Sequence, residues 1–219
     1  MSARLWYVSL AASLLVFCAA TPEGETTLET EISARERLNM PQIWGFEFSY
    51  KSPRMMVVDI PDEQGRPQRK LVWYLPYRIT NRTDSEKMFV GEFTLETDTG
   101  KKYDDRVVPI AMRAIEIRED PRKEWHDSAT VAGMVPVSPK EGAARSVHGI
   151  ATWYDVDPKT DYFSIFVTGL SNGYTMEKAD DGPERAVRKT LELKFWRPGD
   201  EFFENEREIQ FVESKWIYR

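Results

Sequence analysis

The chain has 219 residues, 41% hydrophobic and 30% charged, with 30 basic against 36 acidic residues and a formal net charge of −6. A net acidic chain without a basic run is a poor nucleic-acid ligand, because neutralising phosphates supplies most of that affinity. It also lacks the polybasic cluster that would hold it on an anionic membrane surface.

The first twenty residues carry one charge, Arg4, followed by an uncharged apolar run of 16 residues, Leu5 to Ala20, that ends in Cys18-Ala19-Ala20. A basic start, an apolar core and small residues before the cut are the layout of a secretory signal. Cleavage after Ala20 is the leading reading. Lipidation at Cys18 is a second, although bulky Phe17 precedes the cysteine. An uncleaved anchor is a third, although the run is shorter than the roughly 20 residues a bilayer needs. All three place the bulk of the chain outside the cytoplasm, with membrane attachment only through this segment. Removing it leaves 29 basic and 36 acidic residues, a net charge of −7. Cys18 is the only cysteine, so the exported part can form no disulfide and no cysteine metal site. Exported eukaryotic domains of this size often carry disulfides, which favours a bacterial periplasm or cell surface.

Residues 21–40 are acidic and Thr-rich (Glu23, Glu25, Glu29, Glu31), with little apolar content. They read as a flexible spacer, leaving 41–219 as a single folded domain. There the dominant signal is period two. Trp44, Phe46, Phe48 and Tyr50 share one strand face. A second strand runs from Leu71 to Ile79, with Pro76 marking an edge or a bulge. Phe89, Phe93 and Leu95 define a half-buried strand, and Asp98-Thr99-Gly100 turns the chain towards Tyr103. Apolar residues at helical spacing in Pro109–Glu119 (Ile110, Ala114, Ile117, with Ala111 and Ile115 beside them) predict one short helix opened by Pro109. Residues 122–147 read as long loops around one or two short strands. Strands resume at Ile150–Tyr154 and Tyr162–Thr168, then at Leu191, Leu193 and Phe195, and the chain closes with Ile209, Phe211 and Trp216-Ile217-Tyr218. Tyr174 to Arg185 is a polar excursion. Many short strands between Gly, Pro and Asp turns predict a mainly β fold: an antiparallel immunoglobulin-like β-sandwich with one inserted helix and long loops.

Four patterns invite chemistry. Gly169-Leu170-Ser171-Asn172-Gly173 matches G-x-S-x-G, but no histidine follows Ser171 and the strands around it read as antiparallel. Asp155, Asp157 and Asp161 could offer oxygens to Ca²⁺, yet Lys159 and Thr160 stand where an EF-hand type loop needs a ligand and a glycine. His126, in Glu124-Trp125-His126-Asp127, and His148 lack the spacing of a zinc site. Asn81-Arg82-Thr83 fits the N-glycosylation pattern, but it reads first as a turn after a strand. The seven tryptophans could include a sugar-stacking platform. Trp44, Trp73 and Trp153 sit on apolar strand faces and read as core, whereas Trp125 and Trp216, flanked by charge, read as exposed. No catalytic, cofactor-binding or metal-binding residue is assigned, and no cofactor is expected.

Val72-Trp73-Tyr74 through Tyr77-Arg78-Ile79-Thr80-Asn81, then Phe93-Thr94-Leu95 and Asp98-Thr99-Gly100-Lys101-Lys102-Tyr103, resemble immunoglobulin-like domains of exported bacterial proteins. Tyr154 to Pro158, Phe166 to Asn172 and Arg188 to Leu191 look like a group of exported bacterial proteins with no assigned activity. The resemblance implies a sandwich and export, and transfers no site residues. The expectation is a non-enzymatic interaction or structural module of the bacterial envelope, whose partner is another envelope protein or a surface glycan. A carbohydrate-binding module is the alternative, and a serine hydrolase is a weaker one.

Overall fold

The computed structural model describes residues 24–140, 143–178, 184–198 and 209–219. Residues 1–20, read from the sequence as an export signal and including Cys18, lie outside them. In chain order the elements are β1 (Glu25–Glu29), α1 (Ala34–Asn39), β2 (Glu47–Lys51), β3 (Arg54–Pro61), β4 (Pro67–Thr80), β5 (Lys87–Phe89), β6 (Glu92–Thr97) and β7 (Lys102–Asp104). Then follow α2 (Pro109–Glu119), β8 (Trp125–His126), β9 (Gly133–Val135), β10 (Ser146–Tyr154), β11 (Tyr162–Thr168), β12 (Tyr174–Lys178), β13 (Glu184–Trp196) and β14 (Gln210–Tyr218). No helix among the described residues is long and apolar enough to cross a membrane.

One sheet runs β1-β2-β4-β10-β8, with β3 also on β4; the other runs β12-β13-β11-β6-β7, with β14 also on β13. β5 and β9 form a small two-stranded sheet. Within the sheets the pairing is antiparallel except for β8 beside β10. The alternating apolar residues of both sheets meet in one core. Trp73 of β4 meets Phe163 of β11 edge-on at 5.1 Å, Tyr50 of β2 meets Phe195 of β13 at 6.2 Å, and Tyr77 of β4 lies 4.5 Å from Phe93 of β6. The fold is therefore mainly β, with two sheets sharing one aromatic core, an arrangement consistent with a β-sandwich.

β4 is the spine of the first sheet, and Pro76 lies in its middle rather than at an edge. β3 pairs with β4 as far as Tyr74 and β2 starts at Tyr77, so Pro76 occupies the gap between two partners on that side. Its missing N–H therefore costs no hydrogen bond to either of them. Gly149 on β10 has no side chain for a related reason: a Cβ there would lie 2.2 Å from the Tyr77 ring.

α2 spans the predicted residues, with Pro109 in its first turn. Ala111, Met112 and Ile115 are buried against Val58, Val72, Tyr74 and Ile150 on the outer face of the first sheet. Ile110 and Ile117 are left 49% and 66% exposed. Both stripes are apolar and about 100° apart on the helix, so periodicity cannot choose between them. Glu119 at the end of α2 settles the orientation. Its carboxylate is fully buried, takes Lys51 at 3.1 Å and Arg54 at 2.7 Å, and accepts a hydrogen bond from the Tyr74 hydroxyl at 3.2 Å.

Two further expectations are corrected. Trp125 is buried, because its indole packs under α2 and donates to the Asp120 carbonyl at 3.0 Å. The 21–40 spacer contains β1 and α1, so there are two helices among the described residues, not one.

Trp73→Ala removes a side chain only 2% exposed from the seam between the sheets. It lowers the unfolding free energy by about 3–5 kcal/mol, read from denaturant midpoints at unchanged slope. A loss below about 1 kcal/mol contradicts the shared core.

Candidate binding cleft

The N-terminal segment holds a cleft open because it is fastened to both sheets. β1 pairs along the whole of β2. α1 opens with a capping box: the Ser33 hydroxyl accepts from the Glu36 N–H, and Glu36 Oε2 accepts from the Ser33 N–H at 2.7 Å. The other oxygen, Oε1, takes the Lys189 ammonium of β13 at 2.5 Å and a hydrogen bond from the Tyr218 hydroxyl of β14. Lys189 is 4% exposed, and its nitrogen lies 5.7 Å from the ring centres of both Trp216 and Tyr218. Partial burial pushes the Glu36 carboxyl up, but the bonds from Lys189, Tyr218 and Ser33 outweigh it and hold it at about 2. Burial and the Glu36 charge push Tyr218 up to about 12.

The G-x-S-x-G segment is the second fastening. The Phe46 N–H donates to the Leu170 carbonyl at 2.8 Å. The Ser171 hydroxyl donates to the Trp44 carbonyl at 2.5 Å and accepts from the Gly173 N–H at 3.0 Å. Asn172 Oδ1 accepts from the Trp44 N–H at 2.8 Å, while its Nδ2 donates to the Gln42 carbonyl at 3.2 Å. Gly169 bends the chain into this position with φ +86°, and a Cβ there would lie 2.1 Å from the Val90 carbonyl. Here Ser171 is a clamp on residues 42–46, and its hydroxyl is committed to backbone groups.

Between this segment and the turn after β4 lies a cleft of about 790 Å³, lined among others by Arg37, Gln42, Trp44, Arg82, Lys87 and Asn172. The turn is fixed by Asn81, which is fully buried. Its Nδ2 donates to the Ser85 and Val135 carbonyls, both at 2.9 Å, and its Oδ1 accepts from the Thr83 N–H and hydroxyl at 2.9 and 2.7 Å. The amide that a glycan would modify is thus spent on the fold. Across the cleft Arg37, Arg82 and Lys87 balance Glu29, Glu47 and Asp84, with Arg82 on Glu47 at 3.2 Å. The half-buried Trp44 ring, edge-on to Phe46 at 4.9 Å, forms an apolar wall. This lining suits a neutral, hydrogen-bonding ligand with an apolar face.

The other sequence candidates are dispersed. Asp155 pairs with Lys70 at 2.7 Å and Asp157 with Lys101 at 2.8 Å. No group of three His, Cys, Asp or Glu among the described residues is placed to hold a metal ion. His126 on β8 and His148 on β10 are brought to neighbouring strands, with His148 opposite Trp125 and 5.4 Å from its ring. Burial, with Lys123 and Arg78 nearby, pushes the His148 imidazole down to about 4, so it is neutral at pH 7. Asp105, bonded through Oδ1 to the Thr152 N–H at 2.8 Å, is pushed up to about 6 by burial. Sequence reasoning missed the cleft because part of its lining, Glu29, Thr30, Ile32 and Arg37, lies in the supposed spacer. The one available signal was Ser33-x-x-Glu36, a capping-box pattern inside an acidic stretch.

No family model, no curated protein and no solved structure matches this chain.

Glu36 has a folded-state pKa of about 2 against its ordinary 4.5, so its ionisation favours the folded state. That contribution is complete above pH 4.5 and is lost as pH falls towards 2. Glu36→Gln is therefore less stable than the wild type at pH 7, and the gap in denaturation midpoint closes between pH 4.5 and 2. Ser171→Ala leaves the Trp44 carbonyl and the Gly173 N–H without their partner and costs about 1–3 kcal/mol, measured the same way.

Proposed function

We propose that this chain is an exported, non-enzymatic module of the bacterial envelope, built on an immunoglobulin-like β-sandwich, that acts by binding another envelope component in the cleft beside Trp44. The export signal layout of residues 1–20 supports the location. The observation that carries the binding reading is the stitching of residues 25–46 across both sheets, which commits a buried ion pair and the Ser171–Asn172 clamp to shaping one cleft. A protein partner meets balanced charges and a tryptophan wall there, with an exposed arginine, Arg37, in its first line of contact.

A surface glycan is the second reading, favoured by one specific feature: an indole wall beside amides, carboxylates and guanidinium groups of zero net charge. Sugars present an apolar ring face and a rim of hydroxyls, which is the complement of that lining.

In-cell crosslinking followed by purification of the tagged protein tests both. A stoichiometric protein partner, lost in the variant Arg37→Glu with Trp44→Ala, is the expected result. Recovery of a bound saccharide, lost in the same variant, selects the second reading. Partners retained in full by the variant refute the cleft, and labelling of Ser171 by a fluorophosphonate refutes the non-enzymatic reading.

A further inference from the structure

β12 is an edge strand of the second sheet, and all five of its residues are exposed. β11 stops pairing with β13 at Leu191. β14 stops at Lys189, apart from a backbone pair between Arg188 and Arg219. β12 and residues 184–188 of β13 therefore project beyond their neighbours as a two-stranded ribbon. Such a ribbon is marginal in water by itself, and an open edge is a template for another strand. This edge has neither a proline nor a bulge, and Tyr174 and Met176 stand 53% and 52% exposed on it.

The register decides what the edge can accept. The Lys189 N–H donates to the Gly173 carbonyl at 2.8 Å, in line with the β12–β13 pairing. Gly173, Thr175 and Glu177 thus turn their backbone groups towards β13. By the alternation of antiparallel ladders, Tyr174, Met176 and Lys178 turn theirs outwards. An added strand must match outward-facing residues with its own outward-facing ones. For a second β12 lying antiparallel, the register that uses all three is centred on Met176. It sets Met176 against itself and Tyr174 against Lys178 of the second copy. These side chains share one face of the ribbon, so each ammonium lies by a phenol ring and the two thioethers meet on the axis. On the other face Thr175 opposes Glu177, and no like charges face each other.

We infer that a second copy of this chain pairs along β12, joining the two ribbons into one four-stranded sheet about a two-fold axis at Met176. This goes beyond the binding role proposed for the cleft, and none of the cleft's lining residues named above takes part in it. The test is sedimentation of the purified protein, carrying Cys18→Ser so that an introduced thiol is its only one. The unmodified edge gives a monomer–dimer equilibrium within the micromolar to millimolar range. Met176→Lys sets two ammonium groups on the axis and weakens the dimer by roughly tenfold or more, with an unchanged circular dichroism spectrum. Met176→Cys forms an intermolecular disulfide under mild oxidation. Tyr174→Cys does not, because its two copies lie about 13 Å apart along the strands, beyond disulfide reach. A protein monomeric through millimolar concentration, a dimer indifferent to Met176→Lys, or equal crosslinking at both positions overturns the inference.

Discussion

Lys189 cannot stay buried alone. A cation 4% exposed inside a β-sheet protein needs a carboxylate, and an unpartnered one costs several kcal/mol. The carboxylate comes from Glu36, about 150 residues earlier in the chain, and that requirement fixes where α1 must lie. Once α1 sits on β13 and β14 while β2 lies in the first sheet, the chain from α1 to β2 crosses Leu170–Gly173. Trp44, Gln42 and the cleft wall follow from that path. A buried ion pair is weak evidence for stability as such, since an apolar pair can replace it at little cost. Its effect here is to select one position for a segment that has little apolar surface of its own.

The same logic appears on the opposite side of the first sheet. Glu119 is fully buried and finds Lys51, Arg54 and the Tyr74 hydroxyl, which sets the rotation of α2. In both places a glutamate on a helix picks the orientation, while aromatic packing supplies the bulk of the burial. The Phe46, Phe48 and Tyr77 rings form one continuous aromatic block with Phe89 and Phe93 between the layers. The division of labour is physical. Apolar burial is strong and non-directional, so a few charged contacts at its margins decide between otherwise similar packings.

Much of the fold was legible. Phe46, Phe48 and Tyr50 alternate, as do Phe163, Ile165 and Val167, and all six are buried as that period predicts. Pro109 opens α2, and Gly100 makes the predicted turn with φ +81°. What could not be read depends on partners distant in sequence. The segment 25–39 lacks apolar content because its anchors are hydrogen bonds and an ion pair, which leave no periodic trace. Trp125 looked exposed because its neighbours in sequence are charged, yet its ring packs with Met112 and Ile115 of α2. The site was less legible still. Ser171 has the local pattern of a nucleophile, and only its contacts with Trp44 and Gly173 reveal a clamp.

Residues 25–46 belong to the folded body and wall the cleft. Native-state hydrogen exchange on the amides of β1, Trp44 and Phe46 tests this directly. These amides are expected to exchange as slowly as those of β4, because opening them requires breaking the Lys189–Glu36 contact and the Leu170–Asn172 clamp together. Exchange at the rate of an unstructured chain, with β4 still protected, would contradict it and return the segment to a tether.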